Sequence, residues 1–216
     1  MRTDFQAILF DIDGTLVDST AAAERIWRTW ADLYGVDVEE ILRVRHGRRT
    51  EDIVAMFLPA DQVPEAVAEM GRLELDDLDG IVALPGTRDL LPSLPDHRWA
   101  AVTSGAQRMM RARLLAAGLP APRVMIAAED VVAGKPDPEG YLKAATALGY
   151  DIGECLVIED APAGIEAGHA AGACVLAVAT TRSVDDLAGA DRAIDDLTHC
   201  SVAVSSTQLS LTFRDS

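Results

Sequence analysis

The sequence predicts an α/β fold built on a parallel sheet, and three observations carry that prediction. Short apolar runs alternate with segments of helical spacing through the second half of the chain, the pattern of right-handed βαβ units. A long helical stretch interrupts the alternation directly after its first run. Four small polar clusters each follow an apolar run: Asp11-Ile12-Asp13-Gly14-Thr15-Leu16, Thr103-Ser104-Gly105, Gly134-Lys135-Pro136 and Glu159-Asp160. A parallel sheet gathers such points along one edge, where ligands bind.

Taken in order, residues 6–11 (QAILFD) read as a buried strand that Gly14 breaks. Residues 19–33 follow with helical spacing, placing Ile26, Trp30 and Leu33 on one stripe, and Ser19 or Thr20 suits the helix start. Further helical patterns cover 51–58 and 64–78, the second strongly acidic, and Pro85-Gly86 punctuates their end. A strand over 99–103 then leads to a helix over 107–117, which Gly118 stops. A short strand at 124–127 precedes a helix that Asp137 and Pro138 open and Gly149 ends. The strand 155–158 leads to a helix from Pro162 to Gly172, proline at the start and glycine past the end. Strands at 174–179 and 192–194 follow, and alternation over 201–213 around Ser205-Ser206-Thr207-Gln208 reads as a terminal hairpin. The architecture implied is a Rossmann-like parallel sheet core, residues 1–16 and 85–216, with an inserted α-helical cap domain, residues 17–84.

Composition narrows the function. A chain of 216 residues with 49% hydrophobic content can bury a core and an insert. No apolar stretch reaches the roughly 18–20 residues of a membrane span. The start Met1-Arg2-Thr3-Asp4 lacks the features of a secretory signal. Cys155, Cys174 and Cys200 are widely spaced with no CxxC pair, so buried thiols and a reducing cytoplasm are expected. The net charge of −16 excludes a nucleic-acid partner, because the phosphate backbone demands a basic surface. The expected partner is a small molecule, for a monomer or small homo-oligomer. Only two lysines, Lys135 and Lys143, stand against seventeen arginines. A lysine kept inside one of the four clusters points to a need for a compact ammonium.

The clusters assemble the groups of Mg²⁺-assisted phosphoryl transfer. Asp11 and Asp13, two apart at a strand's end, leave one face. Paired carboxylates share a divalent cation, and Mg²⁺ takes carboxylates, waters and phosphate oxygens. One carboxylate can attack phosphorus while the other moves the proton. Thr103 or Ser104, with the free N–H groups near Gly105, can hold a phosphate oxygen, and Lys135 can neutralise the transferring group. Taken singly, each has a plain alternative: a solvated turn or a calcium-type DxDG loop, a strand-end turn, a solvated lysine, and Asp160 as a helix cap. Their order after successive strands favours the shared site. His97, His169 and His199 read as surface or packing residues, and Trp27 and Trp30 as packing of the insert, with one ring available to a cavity.

The motifs DIDGTL, VTSG, GKPDPEGY and VIEDAPAGIEAG resemble, as a set, the haloacid dehalogenase superfamily in its phosphatase branch with a helical cap. The resemblance implies that Asp11 is the nucleophile and Asp13 the general acid and base. Thr103 then holds the phosphoryl group with Ser104 beside it, and Lys135 bridges nucleophile and phosphate. Asp160 binds Mg²⁺ with Asp11 and the main-chain carbonyl of Asp13, and Glu159 assists through water. The cap segment His46-Gly47-Arg48-Arg49-Thr50-Glu51-Asp52 is similar to the specificity loop of sugar and polyol phosphatases. On that resemblance His46, Arg48 and Arg49 contact substrate; the plain alternative is Arg48 and Arg49 pairing Glu51 and Asp52. The related β-phosphoglucomutases carry a histidine where Ala23 stands and an arginine where Thr50 stands, which disfavours a mutase. A non-catalytic binding protein on the same scaffold is the other alternative.

Overall fold

The computed structural model describes residues 1–45 and 48–214. The elements run β1 (Asp4–Phe5), β2 (Ala7–Phe10), β3 (Val17–Asp18), α1 (Thr20–Tyr34), α2 (Val38–Val44), α3 (Thr50–Phe57), α4 (Val63–Asp76), β4 (Val82–Ala83), α5 (Thr87–Leu90), β5 (Trp99–Val102), α6 (Gln107–Ala116), β6 (Met125–Ile126), α7 (Glu139–Leu148), β7 (Cys155–Glu159), α8 (Pro162–Ala171), β8 (Cys174–Val178), β9 (Arg192–Ile194), β10 (Cys200–Val204) and β11 (Leu209–Phe213). Six strands form one parallel sheet in the order β6-β5-β2-β7-β8-β9. The chain steps from β2 outward through β5 to β6, then returns to the other side of β2 with β7. That reversal opens a crevice beyond the carboxyl ends of β2, β5 and β7.

The pleat sends alternate residues to opposite faces. Ile8, Phe10, Trp99, Ala101, Leu156, Ile158, Leu176 and Val178 pack on one side with Met110 and Leu114 of α6. Ala7, Leu9, Val102, Val157 and Val175 pack on the other with Tyr141 and Ala144 of α7 and Ile165 of α8. Both faces are covered, which is why these strands read as continuous apolar runs. The terminal hairpin gains a third strand: β1 pairs with β11, in the order β1-β11-β10.

Helices α1–α4 bury a separate cluster around Trp30, Ile41, Ile53, Val54 and Met70. Trp30 Nε1–H donates to the Ala66 carbonyl at 2.9 Å, and the Trp30 ring stacks on Tyr34 and meets Trp27 edge-on. The chain enters and leaves this helical insert through one antiparallel pair, β3 with β4. Leu33 departs from the expected stripe: it is 60% exposed, while Ala23, Trp27 and Ala31 take the inner face with Ile26 and Trp30. Cys155 and Cys200 are buried and all three thiols are unpaired. Among the described residues no helix is long and apolar enough to cross a membrane.

Candidate active site

The crevice is a cavity of about 120 Å³ walled by Asp11, Asp13, Thr103, Ser104, Gly105, Lys135, Glu159 and Asp160 from the core, and by Ala23, Trp27, Arg45, Arg48, Thr50 and Glu74 from the insert. A space of that size admits several waters, room enough for a small polar group. All four sequence clusters meet here. Asp11 follows β2 and its N–H still donates to Ile158 at 3.0 Å, so the nucleophile candidate is held by the sheet ladder. Thr103 follows β5 and donates its N–H to Ile126 at 2.9 Å; its Oγ1 accepts from the Gly105 N–H at 3.1 Å.

Lys135 organises the floor. Its Nζ donates to Asp11 Oδ1 at 2.5 Å, Glu159 Oε1 at 2.6 Å and the Val102 carbonyl at 3.1 Å, which uses all three ammonium protons. Burial disfavours its charge, but Asp11 and Glu159 outweigh that and raise its pKa. Burial pushes the Asp11 carboxyl well above the usual carboxylate range; Lys135 opposes the rise, while Glu159 and Asp160 add to it. Burial and then Glu159 push Asp160 to about 7, against a hydrogen bond from Thr181 and the charge of Lys135.

Glu159 is fixed on both oxygens. Tyr141 O–H donates to Oε1 at 2.7 Å beside Lys135, and Oε2 accepts from the N–H groups of Asp160 at 3.1 Å and Ala161 at 3.4 Å. The carboxylate lies so close to α8 that a Cβ on Gly164 would fall 1.8 Å from Oε1. Gly14 is required for two reasons: its φ is +88°, and a Cβ there would sit 2.3 Å from Asp160 Oδ2.

A hard divalent cation fits this arrangement. Asp11, Glu159 and Asp160, all buried, each offer a carboxylate oxygen within 4.8 Å of the others. One ammonium does not balance three such carboxylates, and the neighbouring carboxylates add to the rise that burial imposes on Asp11 and Asp160. An all-oxygen donor set suits Mg²⁺ or Ca²⁺ rather than a soft metal.

Asp13 is oriented from two sides. Ser19 Oγ donates to its Oδ1 at 2.7 Å, and Arg113 Nη1 donates to Oδ2 at 2.6 Å. Ser19 stands at the helix start as expected, but its hydroxyl makes no cap; Asp18 instead accepts from the Thr20 N–H at 2.9 Å. Asp160 likewise does not cap α8, because its Oδ2 takes the Thr181 hydroxyl.

The neighbouring Arg48 and Arg49 diverge. Arg48 faces the cavity, while Arg49 makes a two-pronged pair with Asp52, at 2.9 Å on each prong, and donates to the Val132 carbonyl at 3.2 Å. Arg49 is thus tied to α3 and a core loop, and lines not this cavity but a smaller neighbouring one with Thr103, Ser104 and Lys135. His46 lies outside the described residues. His169 Nε2 contacts the Gly189 carbonyl and His199 lies beside Asp196, both away from the crevice.

The sequence reading missed Ser19, Glu74, Arg113, Tyr141 and the Thr180-Thr181 pair. Thr180-Thr181 follows strand β8, so the rule that found the other clusters points to it as well; Thr180 donates to the Gly14 carbonyl and Thr181 to Asp160. Arg113 carries no local signal, being one of seventeen arginines in mid-helix.

Fold and site together define a doubly wound α/β protein with a carboxylate-rich crevice at the sheet edge. The chain belongs to the haloacid dehalogenase-like hydrolases, whose family model matches residues 5–172. It is 46% identical to hexitol phosphatase A of Escherichia coli K12, over 80% of this chain and 82% of that one. It is 36% identical to 2-deoxyglucose-6-phosphate phosphatase 1 of Saccharomyces cerevisiae, over 90% and 89%. A hydrolase structure from Pseudomonas syringae superposes with a TM-score of 0.77 at 28% identity, covering 88% of this chain and 93% of the other.

Proposed function

We propose that this chain is a Mg²⁺-dependent phosphatase of small phosphorylated sugars and polyols, acting through an aspartyl phosphate on Asp11. The observation that carries the reading is the buried Asp11–Lys135–Glu159 contact at 2.5 and 2.6 Å, opening on a cavity that also holds Asp13, Thr103 and Asp160. The phosphatase names of the relatives support the substrate class.

In this reading the Thr103 hydroxyl and the main-chain groups of Ser104 and Gly105 seat the phosphoryl oxygens. An oxygen of Asp11 forms the bond to phosphorus as the ester P–O bond breaks, and Asp13 gives its proton to the leaving oxygen. Asp13 then takes a proton from water as that water attacks phosphorus and the bond from phosphorus to Asp11 breaks, releasing phosphate and restoring the Asp11 carboxylate. Lys135 draws Asp11 toward its ionised form and aims it. Asp11, Asp160 and the Asp13 carbonyl would hold the metal, with Glu159 behind them; the ion supplies charge neutralisation at the transferring phosphoryl group. We take residues 17–84 as the cap, supported by their own apolar cluster and the shared β3–β4 entry, with 1–16 and 85–216 as the core. Arg45 and Arg48 are then the cap cations on the cavity wall. Three unpaired thiols support a cytoplasmic site. Ala23 and Thr50 both line the cavity and bring no charge to it, which supports hydrolysis over a mutase.

The test is phosphate release across sugar phosphates, polyol phosphates, phosphoglycolate and nucleotides, compared by kcat/KM. Hexitol or hexose phosphates are expected to lead, with loss of turnover in chelator and in Asp11→Asn. Full activity in excess chelator, or conversion of β-glucose 1-phosphate to glucose 6-phosphate without free phosphate, would sink the reading.

A further inference from the structure

We propose that Arg113 is a positioning residue that fixes the carboxylate of Asp13 for proton transfer and ties it to the helical insert through Glu74. The inference rests on reading Asp13 as the acid and base of ester hydrolysis. Arg113 lies on α6, its side chain 6% exposed. Nη1 donates to Asp13 Oδ2 at 2.6 Å and reaches Ser19 Oγ at 3.4 Å, while Nη2 reaches Glu74 Oε1, on α4 of the insert, at 3.4 Å. One guanidinium therefore spans the reacting carboxylate and the insert.

The cost of that placement argues that it serves the reaction. Met109, Met110 and Leu114 of the same helix pack into the apolar core. An apolar residue at 113 would avoid burying a cation, which costs several kcal/mol unless paired well. The shortest contact of this buried cation goes to the carboxylate that must donate a proton. With Ser19 on Oδ1 and Arg113 on Oδ2, the plane of the Asp13 carboxylate is set, and Asp13 cannot turn unless Arg113 follows. Glu74, 12% exposed and raised to about 7 by burial against the pull of Arg113, is carried by the insert. The position of the insert is thereby felt at Asp13.

The leaving group separates positioning from scaffolding. As the Asp11–phosphorus bond forms and the ester P–O bond breaks, an alkoxide needs the Asp13 proton, whereas p-nitrophenolate leaves as a stable anion without it. Single-turnover release is therefore measured with a hexitol 6-phosphate and with p-nitrophenyl phosphate, for the wild type, Arg113→Met, Arg113→Lys and Glu74→Gln. Both Arg113 variants are expected to lose about 30- to 100-fold on the hexitol ester, the scale of a misplaced catalytic group, with nitrophenolate release little changed. Glu74→Gln is expected to lose about tenfold on the hexitol ester alone. Equal losses on both esters, or none, overturn the role of Arg113; wild-type rates in Glu74→Gln overturn the tie to the insert. If Arg113→Met does not fold, Arg113→Lys and Glu74→Gln carry the test. A wild-type enzyme inert toward the hexitol ester would instead remove the functional reading itself, before any variant is compared.

Discussion

The carboxylate cluster predicts that one substitution stabilises the metal-free protein while destroying the metal site proposed there. Asp160 moves from its ordinary 3.8 to about 7 because it is buried beside Glu159. The fold therefore holds this proton more tightly than the unfolded chain does. Stability is favoured below pH about 4, falls as pH rises from there to 7, and has lost its full share above 7. The move is worth about 4 kcal/mol at roughly 1.4 kcal/mol per pH unit. Asp11 and Glu159 share the repulsion and relaxation relieves part of it, so about 2 kcal/mol remains for a neutral isostere to recover. Asp160→Asn keeps an oxygen for the Thr181 hydroxyl and turns an amide toward the neighbouring carboxylates. For a chain of this length the melting temperature in chelator at pH 8 should rise by about 4–8 °C over wild type. At pH 5 wild-type Asp160 is already protonated in the fold, and the gap should shrink to about a third. Added Mg²⁺ should raise the wild type and leave Asp160→Asn unmoved, since only a bound ligand shifts the melt. An Asp160→Asn protein that melts below wild type in chelator at pH 8 would refute the charge argument.

Three further substitutions probe the supports around the site. Gly164→Ala places a Cβ against Glu159, so Glu159 and Lys135 must move; a melt lowered by about 1–3 kcal/mol and at least a tenfold fall in kcat are expected. Wild-type kcat in that variant would show that Glu159 need not stay put. Tyr141→Phe removes the 2.7 Å hydrogen bond to Glu159, which Lys135 still partners, and should cost about 1–2 kcal/mol in denaturant titration. An unchanged midpoint would mean the hydroxyl adds nothing to holding Glu159. Trp30→Phe deletes the indole bond to the Ala66 carbonyl and part of the ring stack, and should lower the melt by about 1–3 kcal/mol while the carboxylate cluster is untouched. Equal stability would contradict the place given to Trp30 in the insert.

The sheet was legible because β2, β5, β7 and β8 are buried on both faces and so appear as unbroken apolar runs. Three of the four polar clusters were legible because each ends such a run; Gly134-Lys135-Pro136 lies instead in the loop between β6 and α7, after the exposed Val132. The helix α2, Val38–Val44, was not read: it is seven residues long, and its clearest signal is Asp37, whose side chain accepts the Glu39 N–H at 2.9 Å. The pair β3–β4 is two residues on each side and exists because the insert's ends must meet. A local pattern cannot report such a closure. Ser19 shows the same limit at the site: its position at a helix start is local, but its hydroxyl answers to Asp13, which the DIDGTL turn brings back over it. Arg113 lies a hundred residues from Asp13 in sequence, and nothing in QRMMRARLLA separates it from the solvent-facing arginines of the same helix.

The choice of lysine at 135 follows from the crowding the structure reveals. Two carboxylate oxygens and a carbonyl converge on one nitrogen at 2.5, 2.6 and 3.1 Å, with the Tyr141 ring 5.4 Å away. An ammonium presents three donors from a single atom and satisfies all three acceptors at once. A guanidinium spreads its donors across a rigid plane, which matches a single carboxylate edge-on but not three acceptors around one point. That is the geometry Arg49 uses with Asp52 on the insert, where a planar fork meets a planar acceptor. At Arg49 a planar fork grips one carboxylate, whereas at Lys135 a single nitrogen sits between two. The second arrangement leaves Asp11 tethered through one oxygen while the other is free of Lys135, which suits the nucleophile and metal ligand proposed at Asp11.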